Sequence, residues 1–179
     1  MPDPSSSPAF TRSFVRGPAG RTITLACTYA ASVAEVWSAV TAHERLARWF
    51  GSVLDSPPGS ASVVLDVGGI PALVQVDRCE PVGVGGGSGV LDLRLTWQGE
   101  PATRVVLRLA GAGPDVTALV LEHSALLVDS HVVGFGSGWE WSLTALAAEL
   151  AGSRLDEDGL PAHQEAAHEE WRLVYEGAG

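Results

Sequence analysis

The stretch GFGSGWEWSLTALAAELAG, residues 134–152, constrains the fold more than any other. It encodes one long helix. Trp139, Leu143, Leu146 and Leu150 recur at helical spacing and fall along one face. Gly134, Gly136 and Gly138 loosen the backbone ahead of that face, and Gly152 stands where a helix ends. A helix with a single apolar stripe must bury it, and the rest of the chain offers a sheet for the purpose.

The sheet is written in alternation. Residues 23–29 place Ile23, Leu25, Cys27 and Tyr29 on one side. Residues 62–67 and 72–79 are further strands, closed by Gly68-Gly69 and Pro81. In 90–97, Leu91, Leu93, Leu95 and Trp97 oppose Asp92, Arg94 and Thr96. Residues 103–109 repeat the pattern with Val105, Leu107 and Leu109, and 116–124 with Leu119, Leu121 and His123. Two short helices interrupt after the first strand. Ser32 with Glu35, and Thr41 with Glu44, have capping-box spacing. The result is an α+β chain: a curved six-stranded antiparallel sheet around a long C-terminal helix. Residues 1–20, rich in Pro, Ser and Gly, read as a disordered lead-in. Residues 21–152 form the domain, and 153–179 an acidic extension with a short helix.

Charge excludes several functions. The net charge of −10 argues against nucleic acid and against anionic membrane surfaces. All 11 basic residues are arginine, so lysine Schiff-base chemistry and a lysine-anchored pyridoxal cofactor are ruled out. No apolar run reaches the roughly 20 residues of a membrane span. The N-terminus lacks a basic start and an apolar region, so it is no secretory signal. Two cysteines, Cys27 and Cys79, make no disulfide framework and read as buried small apolar residues. The expectation is a cytoplasmic protein without membrane insertion.

ITLACTYAASVAEVWSAVTAHERLARWFG resembles the opening of the SRPBCC (START/Bet v 1-like) superfamily, in its bacterial branch named after the activator of Hsp90 ATPase. VGG at 67–69, LTW at 95–97, EHS at 122–124 and GWEWSLTALAAEL at 138–150 match in the same order. The resemblance implies a helix-grip fold, with an apolar cavity between the last helix and the sheet. Relatives bind lipids, hormones and polyketides. Some are aromatase/cyclases, some resistance proteins, and the Hsp90-activating members are co-chaperones.

Within such a fold, Trp139, Leu143 and Leu146 on the long helix are candidate cavity wall. Trp49, Phe50 and Phe135 sit beside turns near the mouth, and Trp97 ends a strand close by. Ordinary core packing is the competing reading for all of them. His123 ends an inward face, as a polar anchor or general acid/base, or as a structural histidine. Arg78, Arg94 and Arg108 read as solvated charges on the outer face. His163 and His168 lack zinc spacing, and no G-x-S-x-G elbow is present, so neither a metal nor a cofactor is expected.

Two functional classes follow. The first is binding of a small hydrophobic molecule, aromatic or polyketide-like, with a cyclase/aromatase activity as its catalytic variant. The second is a protein-interaction or co-chaperone-like module. Its motivation is the acidic tail with Trp171 and the outer-face residues Val106, Ala118 and Val120, a patch to be covered by the tail, by a second copy in a homodimer, or by a partner.

Overall fold

The alternating segments pair into one antiparallel sheet. The structure, a computed structural model, describes residues 8–57, 59–83, 87–97, 99–155 and 160–178. Its strands are β1 (Thr11–Gly17), β2 (Gly20–Tyr29), β3 (Ser52–Asp55), β4 (Ser62–Val67), β5 (Ile70–Glu80), β6 (Ser88–Trp97), β7 (Thr103–Gly113) and β8 (Val116–Leu126). Their order across the sheet is β1-β2-β8-β7-β6-β5-β4-β3. The pairing of β2 with β8 is the one junction between strands distant in sequence.

Among the described residues there are thus eight strands rather than six. β1 lies inside the stretch read as a lead-in. Its alternation is short and set among Pro, Ser and Gly, yet it pairs with β2 along its whole length, from Thr11 opposite Ala26 to Gly17 opposite Gly20. Residues 1–7 lie outside the described residues. β3 is a four-residue edge strand after Gly51, too short to show a period.

Register shifts interrupt the ladder between Arg21 and Ile23, Val53 and Asp55, Val76 and Arg78, and Gly111 and Gly113. An irregularity of this kind bends its strand and increases the local twist. The bent sheet has a concave face made by Ile23, Leu25, Leu65, Val74, Leu91, Leu95, Val105, Leu107, Leu119 and Leu121, all buried in one core.

α1 (Val33–Thr41) and α2 (His43–Leu46) carry the chain from β2 to the β3 edge. The Ser32 side chain accepts the Glu35 amide at 3.3 Å, so the first capping site forms. The second does not. α2 starts from Ala42 with no side-chain cap, because the Thr41 hydroxyl turns back to the Trp37 carbonyl at 2.7 Å and finishes α1 instead.

α3 (Ser130–Leu150) is the long helix. It begins well before the glycines read as a loosened entry, and Gly134, Gly136 and Gly138 are helical. Packing overrides their weak propensity. A Cβ at Gly136 would stand 2.4 Å from the Trp171 ring, so only glycine lets that ring approach. Gly152, at φ 72°, closes the helix as expected: its amide reaches the Glu149 carbonyl at 3.0 Å, and the Ser153 amide reaches Ala148 at 2.9 Å. The Tyr29 hydroxyl donates to the Leu143 carbonyl at 2.9 Å and ties the middle of α3 to β2.

α4 (Leu160–Gly177) carries the acidic tail and packs on α3 and β1. Trp171 is completely buried there. Its indole N–H donates to Glu140 Oε1 at 2.5 Å, and Arg12 on β1 donates to the same carboxylate from Nε at 2.6 Å and Nη2 at 2.8 Å. The tail therefore covers the back of α3, not the outer sheet face. On that outer face Val106 is already buried among its strand neighbours, while Ala118 and Val120 are half-buried. Among the described residues, no helix is long and apolar enough to cross a membrane.

Candidate functional site

Where the concave face of β4–β7 stands away from the helices, a cavity of about 230 Å³ remains. Val63, Leu65, Val74 and Val76 line it from β4 and β5, and Leu91, Leu93, Leu95, Val105 and Leu107 from β6 and β7. Val40, Leu46, Trp49, Phe50 and Trp139 close it from the helical side. Few polar side chains reach it. Thr41 is engaged with its own helix, and His43 and Cys79 are exposed. Cys27 is buried, as expected, but Cys79 is not. It follows the register shift between Val76 and Arg78, which disturbs the alternation that placed it in the core.

The α2 side of the cavity is fastened. Arg45 Nε meets Glu149 Oε1 of α3 at 2.9 Å, and Arg48 approaches the same oxygen at 3.6 Å. The Trp49 indole donates to the Ala39 carbonyl at 3.0 Å. These ties hold Phe50 flat on Trp139, with ring centroids 5.4 Å apart and planes within 2°.

Behind Trp139 lies a hydrogen-bonded thread through the core. An indole N–H can only donate, so Trp139 Nε1 donates to His123 Nδ1 at 3.0 Å. That fixes the tautomer: His123 Nε2 carries the proton and donates to Thr103 Oγ1 at 2.8 Å. Thr103 in turn donates to the Leu95 carbonyl at 3.2 Å. His123 is completely buried, and burial, aided by the nearby His131, pushes its pKa down to about 3. Both ring nitrogens are engaged inside the protein, so the ring is a neutral crosslink with no free lone pair for acid/base work. Phe135 packs edge-on against His123 at 4.6 Å and tilts against Trp97 at 6.3 Å.

Of the residues singled out in the sequence, Trp49, Phe50 and Trp139 line the cavity. His123, Phe135 and Trp97 form a linked aromatic wall beyond Trp139. Leu143 and Leu146 are completely buried core residues outside the lining, because α3 lies close on the sheet there, where Tyr29 grips it. Sequence reasoning named Leu91, Leu93, Leu95, Val105 and Leu107 as inward strand residues but did not assign them to a cavity. Their faces are a local property, whereas the gap before them is set by the bends of the sheet.

The outer face is a charge lattice. Arg94 pairs with Asp77 at 2.8 Å, Arg78 with Glu80 at 2.6 Å and Arg108 with Glu122 at 3.8 Å. Arg104 takes Asp92 through two hydrogen bonds, which hold the Asp92 carboxyl below its ordinary range. Among the described residues, no cluster of three His, Cys, Asp or Glu side chains is placed to hold a metal ion.

A curved antiparallel sheet wrapped on one long helix defines a helix-grip protein of the SRPBCC type. Residues 30–151 match the model of the activator of Hsp90 ATPase homolog 1-like proteins, and the chain belongs to that family. Among solved structures it is similar to CalU16 from Micromonospora echinospora, at 27% identity and TM-score 0.73, over 96% of this chain and 99% of that one. DynU16, of the dynemicin biosynthetic locus, is 30% identical with TM-score 0.64, over 75% of this chain and 50% of its own. A Bordetella parapertussis protein, BPP1335, shares the fold at 21% identity and TM-score 0.64, over 96% of this chain and 94% of that one. No curated protein matches the chain by sequence.

Proposed function

We propose that the protein is a cytoplasmic binder of a small apolar molecule, aromatic or polyketide-like, held between β4–β7 and the cover made by Val40, Leu46, Trp49, Phe50 and Trp139. The carrying observation is the lining: aliphatic strand residues on one side and the Phe50–Trp139 stack on the other, with no buried charge. Such a surface favours planar, weakly polar compounds over ionic ones. The volume of about 230 Å³ lies below the usual ~300–1,000 Å³ of ligand pockets, which selects a compact ligand or one that displaces part of the wall. The site is formed within one chain. Similarity to a protein of the dynemicin locus supports the ligand class. The engaged state of His123 favours binding over a cyclase mechanism.

Native mass spectrometry of protein purified gently from its own cells tests the reading. An adduct that leaves on denaturation is the expected result. An empty protein that also ignores a panel of fused-ring aromatics refutes it.

A further inference from the structure

Among the described residues, two side-chain polar atoms are shut from solvent without a hydrogen-bond partner: His163 Nε2 and Trp97 Nε1. The two differ in kind. An imidazole nitrogen can lie unprotonated, whereas an indole nitrogen always carries hydrogen and always needs an acceptor. Buried donors left unmatched are rare in folded proteins, because each gives up its water and receives nothing in return.

Trp97 stands just beyond the end of the cavity, outside its lining. It lies two residues beyond Leu95 on the inward face of β6, and Leu95 is lining. Its cross-strand partner Ala72 lies two residues before Val74, also lining. Ring contacts run from Trp97 through Phe135 and His123 to Trp139, which is lining. The other donors of this wall are committed: Trp139 to His123, His123 to Thr103, and Thr103 to Leu95. One N–H is left over. Phe135 packs on Trp97, His123 and His131 through ring contacts alone, so turning that ring aside breaks no hydrogen bond.

We infer that Trp97 Nε1–H is the polar anchor of the cavity, donating to an acceptor oxygen on a planar aromatic ligand when Phe135 turns aside. The ligand class is an aromatic ketone or quinone, not a bare hydrocarbon. This rests on the cavity reading above and adds a specificity residue to it. It also gives the small cavity a direction of growth, toward the α3 N-terminal half.

The test uses 9-fluorenone and fluorene, which share a three-ring frame and differ by one carbonyl. The full chain is labelled with 15N at tryptophan, and the six indole resonances are followed during titration. Fluorenone is expected to bind about tenfold more tightly than fluorene, the range of one buried hydrogen bond. The resonance that vanishes in Trp97→Phe is expected to move downfield with fluorenone and to stay with fluorene. Trp97→Phe, checked by its five remaining indole signals, is expected to bind both compounds equally. Equal affinity in the unaltered protein, a stationary Trp97 signal, or a carbonyl preference that survives Trp97→Phe overturns the anchor. Binding of fluorene with no gain from the carbonyl rejects the anchor alone, whereas failure of both compounds rejects the cavity reading with it. The affinity ratio of fluorenone to fluorene is read on the unaltered protein, so it decides even if the variant fails to fold.

Discussion

Trp139 and Glu140 are neighbours on α3 and look opposite ways. Trp139 faces the sheet, stacks on Phe50 and borders empty space. Glu140 faces the tail and is saturated, taking Arg12 by two hydrogen bonds and the Trp171 indole by a third. One side of the helix is closely filled and pins it. The other is left incompletely filled at Trp139. A helix that must bound a cavity loses packing on that side, so it needs a firm hold on its back. Here the hold comes from β1 and α4, two of the three elements that fall outside the family match over 30–151.

The largest effects should therefore come from the back of the helix. Trp171→Ala empties a fully buried site and should cost about 3–5 kcal/mol. Glu140→Ala should approach the same range by leaving the Trp171 N–H unmatched and stripping Arg12 of its main partner, reduced because Arg12 keeps Glu170 at 3.8 Å and can partly rehydrate. Urea unfolding midpoints measure both. If either variant loses less than about 1 kcal/mol, the tail is not what holds α3.

The sheet side carries its own rigid thread, and pH reads it. His123 has a folded pKa near 3, against 6.5 when free. The unfolded chain therefore binds a proton below pH 6.5 that the folded chain refuses until about pH 3. Stability is full above 6.5 and falls through that window, by about 2 kcal/mol between pH 7 and pH 5. His123→Gln should start lower and lack this part of the slope. Asp77, Asp92 and Asp129, all held below the ordinary 3.8 by their arginine partners, act in the same direction but only at lower pH. Equal slopes for the two proteins over pH 7–5 would mean that His123 is not the buried neutral crosslink described.

A smaller effect separates the glycines of α3. Gly136→Ala drives a methyl into the Trp171 ring and should cost a net ~1 kcal/mol, overpacking outweighing the gain in helix propensity. Gly134 and Gly138 have nothing within 4 Å of an added Cβ, so alanine there should stabilise by up to ~1 kcal/mol. Thermal midpoints of the three variants give the signs. A gain at all three would place Trp171 elsewhere.

What could be read in the sequence divides along the same line. The strand faces of β6, β7 and β8 and the apolar stripe of α3 were legible, because alternation and helical spacing are local. β1 and β3 were not: β3 has only four residues, and β1 sits among Pro, Ser and Gly that hide its alternation. Gly136 read as a breaker because its reason, the Trp171 ring, lies on another helix. The aromatic set around Trp139 was anticipated, but its outcome was split: Phe50 became cavity wall, His123 a crosslink, and Leu143 and Leu146 solid core. That division follows the curvature of the sheet, which four register shifts in separate strands set together.

The smallest stability change belongs to the cavity, and it is the most diagnostic. Val76 is half-buried on β5 and lines the space opposite the helices. Val76→Trp adds an indole where room exists, so added apolar contact and slight overpacking should nearly cancel, within about 1 kcal/mol. Fluorene binding, followed by fluorescence or by the indole resonances, should weaken at least ~10-fold, because the ring and the ligand compete for one volume. A loss of several kcal/mol would show that the sheet side is as tightly filled as the tail side, and the contrast between the two faces of α3 would fall. Unchanged binding in a stable variant would keep the contrast but move the ligand out of this cavity.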